Sequence, residues 1–174
     1  MDAKAFFQKL IQLPGEFDER QSALLAAEES QIDNSNEADL EVLAIQKLLK
    51  SIELVRNLDK PMQALQTLYY IAEYAVFTQK PRVGIPWCYV VMNYPGTSSD
   101  YRERAEKLLI EIKLKLPRDM YDAAVQETSL NIQHALDDAQ TWLESQQRHA
   151  SQPSTKVVFN SRYINKKSQT SGKS

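Results

Sequence analysis

Apolar residues recur every three to five positions between residues 37 and 57, with charged residues between them. The apolar positions are Leu40, Leu43, Leu48, Ile52 and Val55. A strand alternates at every second residue, so a run of this length and spacing predicts an amphipathic helix. Ser35 or Asn36 is the expected N-cap, because a side-chain oxygen there can accept a hydrogen bond from a free backbone N–H.

Similar patterns predict further helices, which lie over residues 3–12, 17–31, 61–79, 98–116 and 120–147. Pro14-Gly15 and Pro117 separate neighbouring patterns, since proline and glycine interrupt regular structure. Asp59 and Asp119 are candidate N-caps, and Pro61 fits a first helical turn, where a missing N–H costs nothing. Short links between amphipathic helices favour antiparallel packing. The sequence therefore predicts an all-α fold, an antiparallel helical bundle or short helical array of five to six helices, with a disordered C-terminal tail.

Residues 80–94 are harder to interpret. Residues 80–86 contain two prolines and are predicted as a connector. Residues 87–94 include Tyr89, Val90, Val91 and Tyr94, which favour a strand. The position between two helices, with Pro86 available for a first turn, favours a short buried helix instead. Periodicity cannot decide for so short a run, so both structures stay open and the helix is preferred.

The helix at 61–79 has an unusually broad apolar face, which predicts a central position with neighbours on several sides. Four aromatic residues widen this face: Tyr69, Tyr70, Tyr74 and Phe77. The face either fills the core or, where it is partly exposed, forms a partner groove or the contact between two copies of a homodimer.

Composition argues against most chemistry. The 174 residues include four glycines, one cysteine and two histidines, which disfavours a glycine-rich phosphate loop, a disulfide framework and a multi-cysteine zinc site. His134 stands four residues before Asp138 but two positions from the apolar stripe of its helix, so it is expected on the surface. Cys88 lies in an apolar run and is expected to be a buried, inert thiol. The prediction is a protein that is not an enzyme, with no cofactor, no metal site and no catalytic residue.

Charge is distributed unevenly along the chain. Residues 1–41 carry ten acids and three cations, residues 42–149 are neutral, and residues 150–174 carry five cations and no acid. We therefore divide the chain into a helical domain, 1–149, and a flexible basic tail, 150–174. No apolar run is long enough to span a membrane, and the first residues lack the features of a secretory signal, so no membrane association and a cytoplasmic location are expected.

The tail contains a cluster of apolar and basic side chains within residues 155–167. Its candidate partner-binding residues are Lys156, Val158, Phe159, Arg162, Tyr163, Lys166 and Lys167. Such a cluster fits a docking segment that orders on a protein partner, a nucleic-acid contact through stacking and phosphate binding, or a strap that packs on its own domain. The sequence therefore predicts a non-enzymatic interaction or regulatory module, such as an adaptor, that binds a protein partner. The alternative is a nucleic-acid-associated accessory protein that contacts phosphates through the tail.

Overall fold

The structure, a computed structural model, describes residues 2–12, 36–58 and 60–150. These ranges form seven helices and contain no strand. The helices are α1 Ala3–Ile11, α2 Glu37–Leu58, α3 Pro61–Phe77, α4 Pro81–Asn93, α5 Ser99–Lys115, α6 Arg118–Gln126 and α7 Ile132–Ala150. The all-α prediction is confirmed, but the count of five to six helices was too low. The helix predicted at 17–31 and the whole of 151–174 lie outside the described residues.

Helix α3 is the centre of the fold. It packs against α2, α4, α5 and α7, and the ring of Phe77 stacks on Phe6 of α1 with centroids 4.0 Å apart. Ten of its seventeen residues are buried, so the broad apolar face is used on several sides at once. The prediction of a central helix is confirmed. Of its aromatic residues, Tyr69 and Tyr74 are buried in the core, and Tyr70 and Phe77 are half-buried against it.

A tight turn joins α3 to α4. Gln79 adopts a left-handed conformation with a φ of 61°. The amide of Gln79 donates to the carbonyl of Val76 at 3.2 Å, and the amide of Lys80 donates to that of Ala75 at 2.8 Å. This pair of bonds is a Schellman motif, which satisfies the last free carbonyls of a helix. Pro81 then begins α4, so the two helices form an antiparallel hairpin.

Gly84 allows α4 to approach α3 closely. A Cβ atom at this position would lie 3.1 Å from the backbone oxygen of Ala72. Any larger side chain would have to move the α3 backbone, which is buried on several sides. The distance between α3 and α4 is therefore limited by backbone contact at Gly84 as well as by the packing of apolar side chains.

The connector predicted at 80–86 is wrong, because α4 begins at Pro81 and continues through Pro86 to Asn93. Pro86 leaves the carbonyl of Arg82 without its usual helical partner. Arg82 is exposed near the start of the helix, where water can solvate that group. Burial of Ile85, Trp87 and Cys88 on the same helix offsets the free-energy cost of the hydrogen bond that Pro86 removes.

The single helix predicted at 120–147 is also wrong, since the structure has two helices separated by residues 127–131. Asn131 caps the second helix, and its Oδ1 accepts a hydrogen bond from the amide of His134 at 3.0 Å. Asp119 lies in the first turn of α6, whose N-cap is Pro117. The predicted cap at Asn36 is confirmed, because its Oδ1 accepts from the amide of Asp39 at 3.0 Å.

Candidate interaction surface

The tail residues predicted to bind a partner, 155–167, lie outside the described residues, and their role stays a prediction. His134 is exposed on α7, with its Nε2 atom 3.4 Å from Asp138 Oδ2. This confirms its surface position. In the described part of the chain, no group of three His, Cys, Asp or Glu side chains is arranged to hold a metal ion.

Cys88 is fully buried in the middle of α4. The helix begins seven residues earlier, at Pro81, so Cys88 is not in its first turn. Burial, and secondarily the charge of Glu73, raises the pKa of its thiol far above the ordinary value. The buried, unreactive character expected of this thiol follows from that environment.

The buried tyrosines of α3 and α5 act as structural hydrogen-bonding groups. The hydroxyl of Tyr74 donates to Glu41 Oε1 at 2.8 Å, and the hydroxyls of Tyr70 and Tyr101 lie 3.1 Å apart. Burial is the main cause that raises the pKa values of Tyr69, Tyr74 and Tyr101 well above the ordinary tyrosine value. These phenols therefore stay neutral at physiological pH, and the hydroxyls of Tyr70, Tyr74 and Tyr101 have hydrogen-bond partners within the fold.

A cleft of about 520 Å³ lies between α1, α3 and α5. Its lining combines buried apolar side chains with charged ones. The apolar part includes Phe6, Tyr69, Val76, Phe77 and Leu108, and the polar part consists of Glu73, Gln79, Arg104, Lys107, Glu111 and Lys115. An apolar floor with a charged rim is the general form of a site that receives another molecule.

The charges in and beside this cleft form ion pairs. Both carboxylate oxygens of Glu73 are bound by Lys9 Nζ, at 2.8 and 2.9 Å. Glu111 accepts from Lys115 Nζ at 2.6 Å. Lys107 pairs with Glu103, and Arg104 pairs with Asp100. The four cations therefore meet four carboxylates, and the charge around the cleft is balanced.

Two large apolar side chains on α5 are exposed beside this cleft. Leu114 is 84% exposed and Ile110 is 55% exposed. They lie one turn apart, and together with Lys107 and Glu111 they follow the i, i+3, i+4, i+7 spacing that places residues on one helix face. The exposed apolar pair is therefore continuous with the charged rim of the cleft. We call Ile110, Leu114 and the cleft the α5 surface.

Sequence reasoning missed this surface. The apolar stripe that helical spacing indicates along α5 contains Ala105, Leu108, Leu109 and Ile112, and the structure buries these residues. Ile110 and Leu114 fall off that stripe, on a helix face that is otherwise charged. Two large apolar residues on a charged helix face were therefore the signal in the sequence that could have indicated this surface. The cleft itself is formed by three helices distant in sequence, so no local pattern indicates it.

A second groove, of about 660 Å³, runs between α2 and α7. Its lining is almost entirely polar, with two cations and two carboxylates: Gln46, Leu49, Lys50, Glu53, Arg56, Gln140, Glu144 and Gln147. Arg56 spans it by bonding to Gln140 Oε1 at 2.7 Å and to Asp137. The groove is balanced in charge, and the contacts of Arg56 link its two helices.

Within the described residues, no helix is both long and apolar enough to cross a bilayer. Comparison with protein-family models, with curated proteins and with solved structures finds no match to this chain.

Proposed function

We propose that this protein is a non-enzymatic helical interaction or regulatory module that binds a protein partner through the α5 surface. The observation that supports this most is the exposure of Ile110 and Leu114 next to the charged cleft. Burying one such side chain against a partner contributes roughly 1.5–3 kcal/mol. Exposed apolar side chains that adjoin a concave site mark interaction surfaces more often than isolated ones do.

Within the described residues, these two side chains are exposed and lie outside the core. Helix α5 packs there against α3 and α4. It is held by the buried residues Ala105, Leu108, Leu109 and Ile112 on its other face. A partner could therefore cover Ile110 and Leu114 without disturbing the core, which is the arrangement that a binding surface on a rigid scaffold requires.

The basic tail is a second candidate contact. Segment 155–167 joins apolar side chains such as Phe159 and Tyr163 to cations such as Arg162, and we propose that it assists protein binding. The alternative is nucleic-acid binding, which five tail cations without an acid support. A cytoplasmic location and a role as an adaptor belong to the same proposal.

The proposal is tested by recovering partners on the full-length chain from an extract of the source cell. The double variant Ile110→Asp plus Leu114→Asp should lose the partner at least tenfold, while its melting temperature stays within about 2 °C because both sites are exposed. Leu130→Asp is the matched control, since Leu130 is 52% exposed at a different place. Equal recovery by both variants would contradict the assignment to α5.

Two further double variants distinguish binding through the tail from binding through the α5 surface. Phe159→Ala plus Tyr163→Ala should weaken a docked protein partner with little dependence on salt. Lys166→Gln plus Lys167→Gln should weaken nucleic-acid binding, and that binding should fall steeply as salt rises. Retention of RNA or DNA at low salt, with no protein partner lost on Ile110→Asp plus Leu114→Asp, would support the alternative function.

A further inference from the structure

We infer that the chain's own tail segment 155–167 lies in the cleft between α1, α3 and α5, where it completes the α5 surface beside Ile110 and Leu114. The inference goes beyond the proposed function, because it concerns the chain alone and holds with or without a partner. Three observations carry it, namely the place where α7 ends, the length of chain that follows, and the aromatic floor of the cleft.

Helix α7 ends close to the cleft. Lys80 Nζ donates a hydrogen bond to Gln146 Oε1 of α7, and Lys80 directly follows Gln79, which lines the cleft. Ala150 is the last residue of α7, about one turn beyond Gln146, and it packs half-buried against the core. The tail therefore leaves the fold near the part of the cleft that Gln79 lines.

The chain that follows α7 is long enough to occupy the whole cleft. On α5 the lining runs from Arg104 to Lys115, which corresponds to about 16 Å at roughly 1.5 Å per residue. Segment 155–167 spans at most about 43 Å, at roughly 3.3 Å per residue. The segment can therefore bridge the distance from α7 and still lie along α5.

The floor of the cleft fits the aromatic residues of the tail. The rings of Phe6 and Phe77 stack there with their centroids 4.0 Å apart. Aromatic rings favour edge-to-face and offset contacts with one another. Segment 155–167 contains every large apolar residue of the tail, with Phe159 and Tyr163 among them. We expect these two rings in the cleft, because burial there removes them from water.

The rim of the cleft can accept the tail cations, although its charge does not select them. Each cation of the rim is already paired with a carboxylate. Glu103 and Glu111 are nevertheless 65% and 52% exposed, and a carboxylate can accept from more than one donor. Arg162, which stands between Phe159 and Tyr163 in the sequence, can bind one of them. Apolar burial therefore determines the fit.

Attachment to α7 favours the tail over other occupants. A second copy of the chain or a separate protein has to reach the cleft from solution, whereas a tethered segment is present there at an effective concentration on the order of millimolar. Weak apolar contacts are then sufficient for occupancy. Ile110 and Leu114 are not among the residues that line the cleft, so they stay available to a partner when the tail is bound.

Disulfide trapping in the purified full-length chain tests the position of the tail. The pair Lys107→Cys plus Ser161→Cys places one thiol on the rim and the other between the two tail aromatics. Native Cys88 is fully buried, so it does not compete. The intramolecular disulfide of this pair should form at least tenfold faster than that of Lys50→Cys plus Ser161→Cys, measured by mass spectrometry after mild oxidation.

Lys50 is a strict control because of its place in the fold. It lines the groove between α2 and α7 together with Gln147, three residues before the end of α7. A tail without a fixed position would meet a thiol at 50 at least as often as one at 107. Equal rates for the two pairs, or a faster rate at 50, would overturn the inference. Disulfide-linked dimers as the main product would also overturn it, because the cleft would then hold the tail of a second copy.

The aromatic anchors are tested in the same assay. Adding Phe159→Ala plus Tyr163→Ala to the pair at 107 and 161 should slow its disulfide to the rate of the pair at 50 and 161. An unchanged rate would overturn the inference, because the aromatic floor would not be what holds the tail.

Alkylation provides a second readout that needs no thiol in the tail. A maleimide should modify Lys107→Cys several-fold more slowly than the same chain with Phe159→Ala plus Tyr163→Ala added. Lys50→Cys should react at the same rate with and without the two tail substitutions. Equal alkylation at 107 in both chains would overturn the inference.

None of these experiments requires a partner, so the two proposals fail separately. Fast trapping at 107, with no partner recovered through Ile110 and Leu114, would support the inference while the proposed function fails. A partner that depends on Ile110 and Leu114, with equal trapping at 107 and 50, would overturn the inference and leave the proposed function standing.

Discussion

Tyr74 illustrates how a polar atom is accommodated in this core. Its side chain is almost completely buried, and its ring contacts Phe7 and Trp142, with centroids 6.4 and 5.6 Å away. The hydroxyl donates to Glu41, which is partly exposed on α2. One side chain therefore links α1, α2, α3 and α7, while its polar atom remains satisfied.

This environment predicts a loss of stability in alkali. Burial first, and the charge and hydrogen bond of Glu41 second, raise the pKa of Tyr74 well above the ordinary tyrosine value. The folded state therefore binds this proton more tightly than the unfolded state. The stabilising contribution is complete below pH 10, the pKa of an unfolded tyrosine, and is lost as the pH rises from there toward the folded pKa.

Urea unfolding of the unchanged chain and of Tyr74→Phe at pH 7 and pH 11 measures this effect. At pH 7 the variant should be less stable by about 1 kcal/mol, because one hydrogen bond is lost. Between pH 7 and pH 11 the unchanged chain should lose more free energy of unfolding than the variant does. Equal losses in the two proteins would show that Tyr74 does not titrate on unfolding.

At the scale of the element, the α3–α4 hairpin makes a sharp prediction. An alanine Cβ at position 84 would lie 3.1 Å from the Ala72 backbone oxygen. Overpacking of this kind lowers the stability by about 1–3 kcal/mol. The better helix propensity of alanine raises it by about 1 kcal/mol. Gly84→Ala should therefore lower the free energy of unfolding by about 1 kcal/mol, measured by urea denaturation.

Gly96→Ala provides the comparison. Its Cβ would meet only the Tyr94 side chain, at an ordinary 3.6 Å, so stability should change by less than about 0.5 kcal/mol. A stabilised Gly84→Ala variant would mean that helix propensity outweighs the contact with Ala72 and that α3 can move away from α4.

The helices differ in how much of them the sequence could predict. Helices α2 and α3 have long patterns, so their type and nearly their ends follow from spacing. The beginning of α4 was missed because prolines were interpreted as breaks, whereas burial of Ile85 and Trp87 stabilises a helix around Pro86. The division between α6 and α7 was missed because the apolar spacing continues across residues 127–131, and the cap at Asn131 decides the boundary.

The candidate site was less predictable than the helices, for a physical reason. In the sequence, Phe159 and Tyr163 of the tail stand out, because they belong to an apolar cluster in a polar region. The α5 surface depends instead on which face of a helix is left uncovered after packing, and tertiary contacts determine that. The ion pair between Lys9 of α1 and Glu73 of α3 likewise appears only when the two helices are packed together.

At the scale of the whole molecule, the described helices form one core around α3. Among them, α5 exposes two apolar side chains beside a cleft with a charged rim. The acidic first 41 residues and the basic last 25 would add long-range electrostatic fields, which change the rate at which charged molecules meet. Under the proposed function, α5 would determine which partner binds, and the termini would have an accessory role.

Site-specific photo-cross-linking inside the source cell tests whether a protein partner binds at Ile110 and Leu114 on α5. A photoreactive amino acid is placed in the full-length chain at 110 or 114, and in separate chains at 50, 138 or 159. Binding of a partner through α5 predicts discrete protein adducts from positions 110 and 114, none from positions 50 and 138, and weaker adducts from position 159. Adducts from positions 50 or 138 with none from 110 and 114 would contradict it.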